Sequence, residues 1–301
     1  MTMFNWLKKK TQAKDQTAPD ANELSGVIEA LRARPAAFKS IKTIVLVASG
    51  KGGVGKSTTS ANLAMALAAM GVRTGLLDAD IYGPSVPTLF GLTGEKVTSP
   101  DNKLMHPLQA HGVCLQSIGF LVDPEQASVW RGPMASQALL QLLNETLWPE
   151  LDVLLVDMPP GTGDIQLTIS QKLPVTGAVV VTTPQDLALA DARKAITMFQ
   201  QVKIPILGLI ENMSFYICPS CGASDDVFGS EGGLKLAERY QVPVLGQLPL
   251  QSALRQQADS GTALTAGDAS LLEYYQQISR ALLWQLTGAS SQSVEIVITD
   301  D

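Results

Sequence analysis

Residues 41–57 read IKTIVLVASGKGGVGKS, and this stretch changes character within a few residues. IKTIVLVAS is a continuous, β-branched apolar run, the composition of a strand buried on both faces of a parallel sheet. GKGGVGKS then fits G-x-x-x-x-G-K-[ST]. Residues 58–70 are rich in Ala and Leu and read as a helix that Gly71 closes. A glycine-rich turn between a buried strand and a helix lets backbone N–H groups point inward around phosphate oxygens. The helix N-terminus adds partial positive charge. The candidate phosphate-holding residues are therefore Gly50, Lys51, Gly52, Gly53, Val54, Gly55, Lys56, Ser57 and Thr58. In this arrangement Lys56 neutralises the β- and γ-phosphates of ATP and the Ser57 hydroxyl ligates Mg2+.

Outward from this stretch the same style repeats. VRTGLLDAD, DVLLVDMPP, GAVVVTTP, IPILGLIENM and VPVLGQLP read as strands, and GVCLQSIGF as a shorter one. Helical patterns fall at 134–147, 186–201, 234–240 and 269–287, with another at 22–38 ahead of the first strand. Strand–helix alternation of this kind predicts an α/β fold of the P-loop NTPase type, a mostly parallel sheet with helices on both faces. Ligands in such sheets sit at the C-terminal strand ends. The expected organisation is a tail with a short helix (1–40), an ATPase domain (41–288) and a C-terminal tail (289–301) whose apolar piece reads either as an edge strand or as disordered.

The 301 residues carry a net charge of −6, unevenly spread: residues 1–42 hold eight Lys/Arg and four Asp/Glu, the remainder 14 and 24. An acidic body argues against a nucleic-acid surface. The lysines at 8–10 read as a solvated tail. No stretch has the length and apolar purity of a membrane span, and MTMFNWLKKKTQAKDQ lacks the apolar run of a secretory signal. The expected location is the cytoplasm, with neither nucleic acid nor membrane as partner.

Several polar residues end strands at the edge where a nucleotide would lie. Asp78 and Asp80 close the second strand, where a carboxylate can orient a water or hold a Mg2+-bound one. Asp157 ends the apolar run VLLV and is placed to hold Mg2+ through water. PPGTGD follows it, stiffened by two prolines and turned by two glycines, as a segment that can sense a γ-phosphate. Asn212 closes a further strand, and its amide can pair with a purine edge.

Three cysteines, Cys114, Cys218 and Cys221, make a disulfide framework improbable on number alone. Cys218 and Cys221 form a CxxC pair around a turn and can share a metal centre. Structural zinc and cubane clusters both want four ligands, so a second copy of the chain across a two-fold axis is the simplest completion. Cys114 reads as a small buried residue.

The string GKGGVGKST resembles the deviant Walker A motif of the MinD/ParA class of P-loop ATPases. That resemblance implies a sandwich dimer in which Lys51 reaches the partner's nucleotide. It further implies that Asp80 positions the attacking water, with Asp78 in support, and that Asn212 contacts the base. Beyond the class, LLDADIYGPSVPTLFG, VDMPPGTGD, TTPQDLALAD, IENMSFYICPSCG, FGSEGG and LGQLPL resemble the Mrp/ApbC family of iron–sulfur cluster carrier ATPases over roughly residues 40–285. The resemblance implies a homodimer that binds a labile 4Fe-4S cluster through Cys218 and Cys221 and delivers it to apo-proteins, with slow ATP hydrolysis coupled to transfer. A larger N-terminal domain and an N-terminal multi-cysteine site, each found in some members, are not matched here.

Two other readings use the same residues. A partition or positioning ATPase predicts a basic stripe or a basic amphipathic C-terminal helix, yet residues 269–287 hold Arg280 as their one basic residue. A zinc-stapled dimer fits the same thiolates. A redox CxxC would open a helix, whereas this pair follows a strand in a Pro/Ser/Gly-rich loop.

Overall fold

A computed structural model of the chain describes residues 21–100, 103–122, 132–218, 220–262 and 269–288. The lysine run at 8–10 and the apolar piece after 289 lie outside the described residues, as does Pro219.

The described chain runs α1 (Ala21–Ala33), β1 (Ile41–Ala48), α2 (Lys56–Ala69), β2 (Thr74–Asp78), α3 (Val86–Leu89), β3 (Leu108–Ala110), β4 (Val113–Ser117), α4 (Gly132–Glu145), β5 (Leu151–Asp157), α5 (Asp164–Lys172), β6 (Gly177–Thr182), α6 (Asp186–Gln201), β7 (Ile206–Ile217), β8 (Ser224–Asp225), α7 (Gly232–Tyr240), β9 (Val244–Leu250), α8 (Ser252–Ser260) and α9 (Ala269–Gly288). The strands form one sheet in the order β3-β4-β2-β5-β1-β6-β7-β8, with β9 also on β7. Pairing is parallel except at β3 and β8, which run antiparallel to β4 and β7.

Strand side chains alternate between faces, and β1 divides its residues accordingly. Val45 and Val47 join the core beneath α1, α2 and α9, while Ile44, Leu46 and Ala48 join the core beneath α4, α5 and α6. Both faces are covered, which is why the β1 run is apolar without interruption. Leu31 of α1 is fully buried and shares a core with Tyr275 and Leu282 of α9, so the helix preceding β1 packs into the body of the domain. Helix α2 begins at Lys56, inside the glycine-rich motif, and Gly71 follows its end in the left-handed conformation (φ 85°).

Five elements go beyond the sequence reading. Helices α3, α5 and α8 and strand β3 are additional, and with β8 the CxxC loop proves to be a β-hairpin. Residues Ile217 and Tyr216 of β7 pair with Ser224 and Asp225 of β8, so both cysteines lie in the hairpin connection. Among the described residues no helix is long and apolar enough to cross a membrane.

Candidate functional site

Strands β1, β2 and β5 bring their C-terminal residues together at one edge of the sheet, and β7 adds Asn212 from its middle. Asp78 and Asp157 lie opposite each other in the β2–β5 register, and Val47 lies opposite Asp157 across β1 and β5. The loop leaving β1 therefore emerges directly beside both carboxylates.

Lys56 is almost fully buried, and its ammonium meets Asp157 Oδ1 at 2.6 Å and Ser57 Oγ at 3.2 Å. Ser60, one helical turn after Lys56, donates to the same Asp157 oxygen at 2.7 Å. The second oxygen, Oδ2, is buried with no hydrogen-bond partner. A buried acceptor without a donor is costly, and a carboxylate oxygen on a residue that shares the Lys56 ammonium with the Ser57 hydroxyl is the ligand chemistry that Mg2+ takes. The residues present thus fit the expected cation. Ser60 was absent from the sequence reading, although its i+4 spacing from Lys56 places both on one helix face.

The loop is braced from outside. Ser49 Oγ donates to Lys51 O at 2.9 Å, and Gly161 N donates to Ser49 O at 3.0 Å. The PPGTG segment is itself held by Gln166 of α5, whose amide donates to Pro159 O and Pro160 O. Gly50 lies against the backbone of α6 at Asp191, so close that a Cβ would overlap it. Gly55 is left-handed (φ 79°), and a side chain there would strike the Asn212 amide.

That amide corrects one expectation about position. Asn212 lies within β7, not at its end, and its Nδ2 donates to Val54 O at 2.9 Å while Met213 N donates to its Oδ1. Its visible work is to hold the glycine-rich loop. Asp78 is fully buried and accepts from Asp80 N, Val86 N and Ser117 Oγ, each at 3.1 Å. It supports the loop after β2. Burial first, and the neighbouring Asp157 charge second, push its carboxyl up to about 7. Asp80 is partly exposed, and burial pushes its carboxyl up against the opposing pull of Lys56. Lys51 is also partly exposed, whereas Thr58 lies in the first turn of α2.

The cysteine hairpin stands apart from this pocket. Cys221 is exposed and Cys218 half-exposed; Cys218 N donates to Ala223 O and Gly222 N to Cys218 O. Backbone N–H groups of Ser220 and then Cys221 donate to the Cys218 sulfur and hold its thiol below the usual range, which favours the thiolate that binds metals. Among the described residues no group of three or more His, Cys, Asp or Glu could hold a metal ion, so this hairpin offers two ligands and no third. Cys114 is buried in β4, and burial pushes its thiol up.

Known proteins resemble this chain in sequence and fold. A family model described as ParA, the NUBPL iron-transfer P-loop NTPase, matches residues 40–283. The iron–sulfur cluster carrier protein of Escherichia coli K12 is 55% identical over 251 residues, covering 83% of this chain and 68% of that one. The mouse iron–sulfur cluster transfer protein NUBPL is 49% identical over 226 residues, covering 74% and 70%. Among solved structures, a nucleotide-binding protein from Archaeoglobus fulgidus in complex with ADP is 39% identical with a TM-score of 0.67, covering 78% of this chain and 92% of that one. The cell division ATPase MinD of Pyrococcus furiosus has a TM-score of 0.60 at 21% identity, covering 80% and 98%, and shares the fold. With the phosphate loop, its buried Lys56–Asp157 pair and a family match from residue 40 to 283 in place, the chain belongs to the NUBPL iron-transfer P-loop NTPases and is an ATPase of that family.

Proposed function

We propose that the chain is a cytoplasmic carrier that binds a labile 4Fe-4S cluster as cargo between two copies of itself and passes it to apo-proteins, using ATP. The observation that carries this reading is the hairpin. It presents two cysteines, one biased toward thiolate, on a chain whose described residues supply no third ligand nearby. Four thiolates from two chains meet the need of a cubane cluster. The names of the E. coli and mouse relatives support the cargo.

In this reading the residues 50–57 wrap the phosphates, and Lys56 exchanges its Asp157 partner for phosphate oxygens. Ser57 and Asp157 hold Mg2+, which supplies charge neutralisation at the phosphates. Asp80 orients the attacking water, Lys51 reaches the nucleotide of the second copy, and the remaining N–H of Asn212 is left for the purine. The zinc-stapled dimer makes the opposite forecast for metal content.

Anaerobic reconstitution with iron and sulfide, with zinc assayed on the same sample, tests the proposal. About four irons and four sulfides per dimer are expected, lost in Cys218→Ala and Cys221→Ala while ATP affinity is kept. A Cys218→Ala protein that still holds a full cluster would sink the ligand assignment. Zinc near one per dimer without stable iron would replace the carrier reading by a structural metal.

A further inference from the structure

Glu211 is buried (1% exposed) and took no part in the sites described above. Its Oε1 accepts from Gln247 Nε2 of β9 at 2.7 Å and from Ser214 Oγ; its Oε2 accepts from Gly233 N in the first turn of α7. Gln247 Nε2 also reaches Ser214 Oγ at 2.8 Å, closing the network. A carboxylate with three donors at a helix N-terminus is well suited to remain buried.

The surroundings say what this network holds. In β7, Glu211 pairs with Gln247 and Phe215 with Pro249, so four residues of β7 advance over two of β9. The two surplus residues make a bulge within 212–214, with Met213 in the left-handed region (φ 54°). Bulges beside sites re-aim side chains, and this one aims Asn212 at Val54 of the phosphate loop. Beyond the bulge β7 loses β6, whose pairing ends at Thr182–Glu211. Tyr216 pairs with both Asp225 and Leu250, so β8 takes the edge that β6 vacates. From Phe215 the strand then runs about 10 Å into Cys218 at the usual rise of a strand. One bulged strand thus touches the nucleotide loop from its middle and carries the cysteine hairpin at its C-terminal end.

We infer that Glu211, through Ser214, Gln247 and Gly233, is a positioning residue that fixes this bulge and so links the conformation of the phosphate loop to that of the cysteine hairpin. The inference deepens the carrier reading and rests on it for its purpose, though not for its test. Nucleotide contacts that shift Val54 act on Asn212 and hence on the bulge. With Glu211 in place the rest of the strand, anchored to α7 and β9, turns as one piece.

The test reads the thiols without any cluster. Apo-protein is alkylated with iodoacetamide, with and without Mg2+ and a non-hydrolysable ATP analogue, and modification of Cys218 and Cys221 is followed by mass spectrometry. Protein concentration is set where sedimentation gives one oligomeric state in both conditions. In the unsubstituted protein, nucleotide is expected to change the rate about fivefold, a usual size of coupling. Glu211→Gln places an NH2 among N–H donors, and Ser214→Ala removes one arm of the network. Both are expected to abolish the change while nucleotide affinity stays within about twofold. Ser214→Ala decides alone should the first variant not fold. No nucleotide effect in the parent protein, an effect retained in the variants, or loss of nucleotide binding along with it would each overturn the inference. Zinc in place of iron on reconstitution would remove the carrier reading and leave this thiol measurement standing.

Discussion

The nucleotide pocket and the cysteine hairpin are built to opposite rules. In the pocket, Asp157 is fully buried, Lys56 nearly so, and each finds its partner within the chain. Three parallel strands and the N-terminus of α2 hold them. The hairpin is a two-residue ladder whose cysteines face outward with half the ligands a cubane centre needs. On the proposed carrier reading, the contrast separates a site that repeats one reaction from a site that must let its contents go. The first profits from pre-set geometry, the second from ligands that are incomplete in one copy.

The sharpest way to break this contrast is Lys56→Ala. Hydrolysis is expected to fall about 10²- to 10³-fold, as when one charge-stabilising donor is removed from a site. Iron content after reconstitution should not change. Asp157 would remain buried with Ser60 alone, at a cost of about 3 kcal/mol, visible in thermal unfolding. Iron lost in step with hydrolysis would mean that the two regions are one site. A smaller effect comes from two left-handed glycines. Gly55→Ala puts a methyl group into the Asn212 amide, whereas at Gly222 of the hairpin (φ 71°) a methyl group meets nothing within 4 Å. Backbone strain of about 1–2 kcal/mol applies to both, and loss of the Asn212–Val54 bond adds about 1 kcal/mol at Gly55 alone. Urea unfolding should rank Gly55→Ala as the costlier; equal costs would mean that the pocket is no tighter than the hairpin. The gentlest test is the alkylation rate of Cys218 against pH. Its thiol is held below the ordinary value of 9.0, so the thiolate, and with it the rate, should persist to lower pH than for an unperturbed cysteine. A midpoint at or above 9.0 would remove the backbone N–H groups as its stabilisers.

Much of this was legible because the signals are local. The run 41–49, the glycine-rich turn and the Ala/Leu helix each announce themselves, and the parallel sheet follows from their repetition. What escaped the sequence depends on partners far away in the chain. Helix α8 buries only Leu254 and Gln257, too thin a stripe for helical periodicity to register. Strand β8 is Ser-Asp, both exposed, and is a strand only because β7 lends it a ladder. Asn212 reads as a strand end since Glu211 and Asn212 interrupt an apolar run; the bulge that keeps the strand going requires β9, more than thirty residues later. Glu211 drew no reading of its own, because the donors that bury it, Gly233 and Gln247, lie more than twenty residues away in the chain.

The strand order has a consequence for how the molecule comes into being. Strand β1 sits between β5 and β6, with Thr43 opposite Val153 and Val45 opposite Gly177, and the ion pair of the pocket joins Lys56 to a residue 101 positions later. Contacts this distant are formed late and close large loops. A growing chain that has emerged only as far as β4 carries the whole glycine-rich motif and, of the walls around it, β2 alone. Nucleotide therefore has nothing to hold until β5 and β6 have threaded in on either side of β1. From that moment it stabilises the finished sheet by mass action.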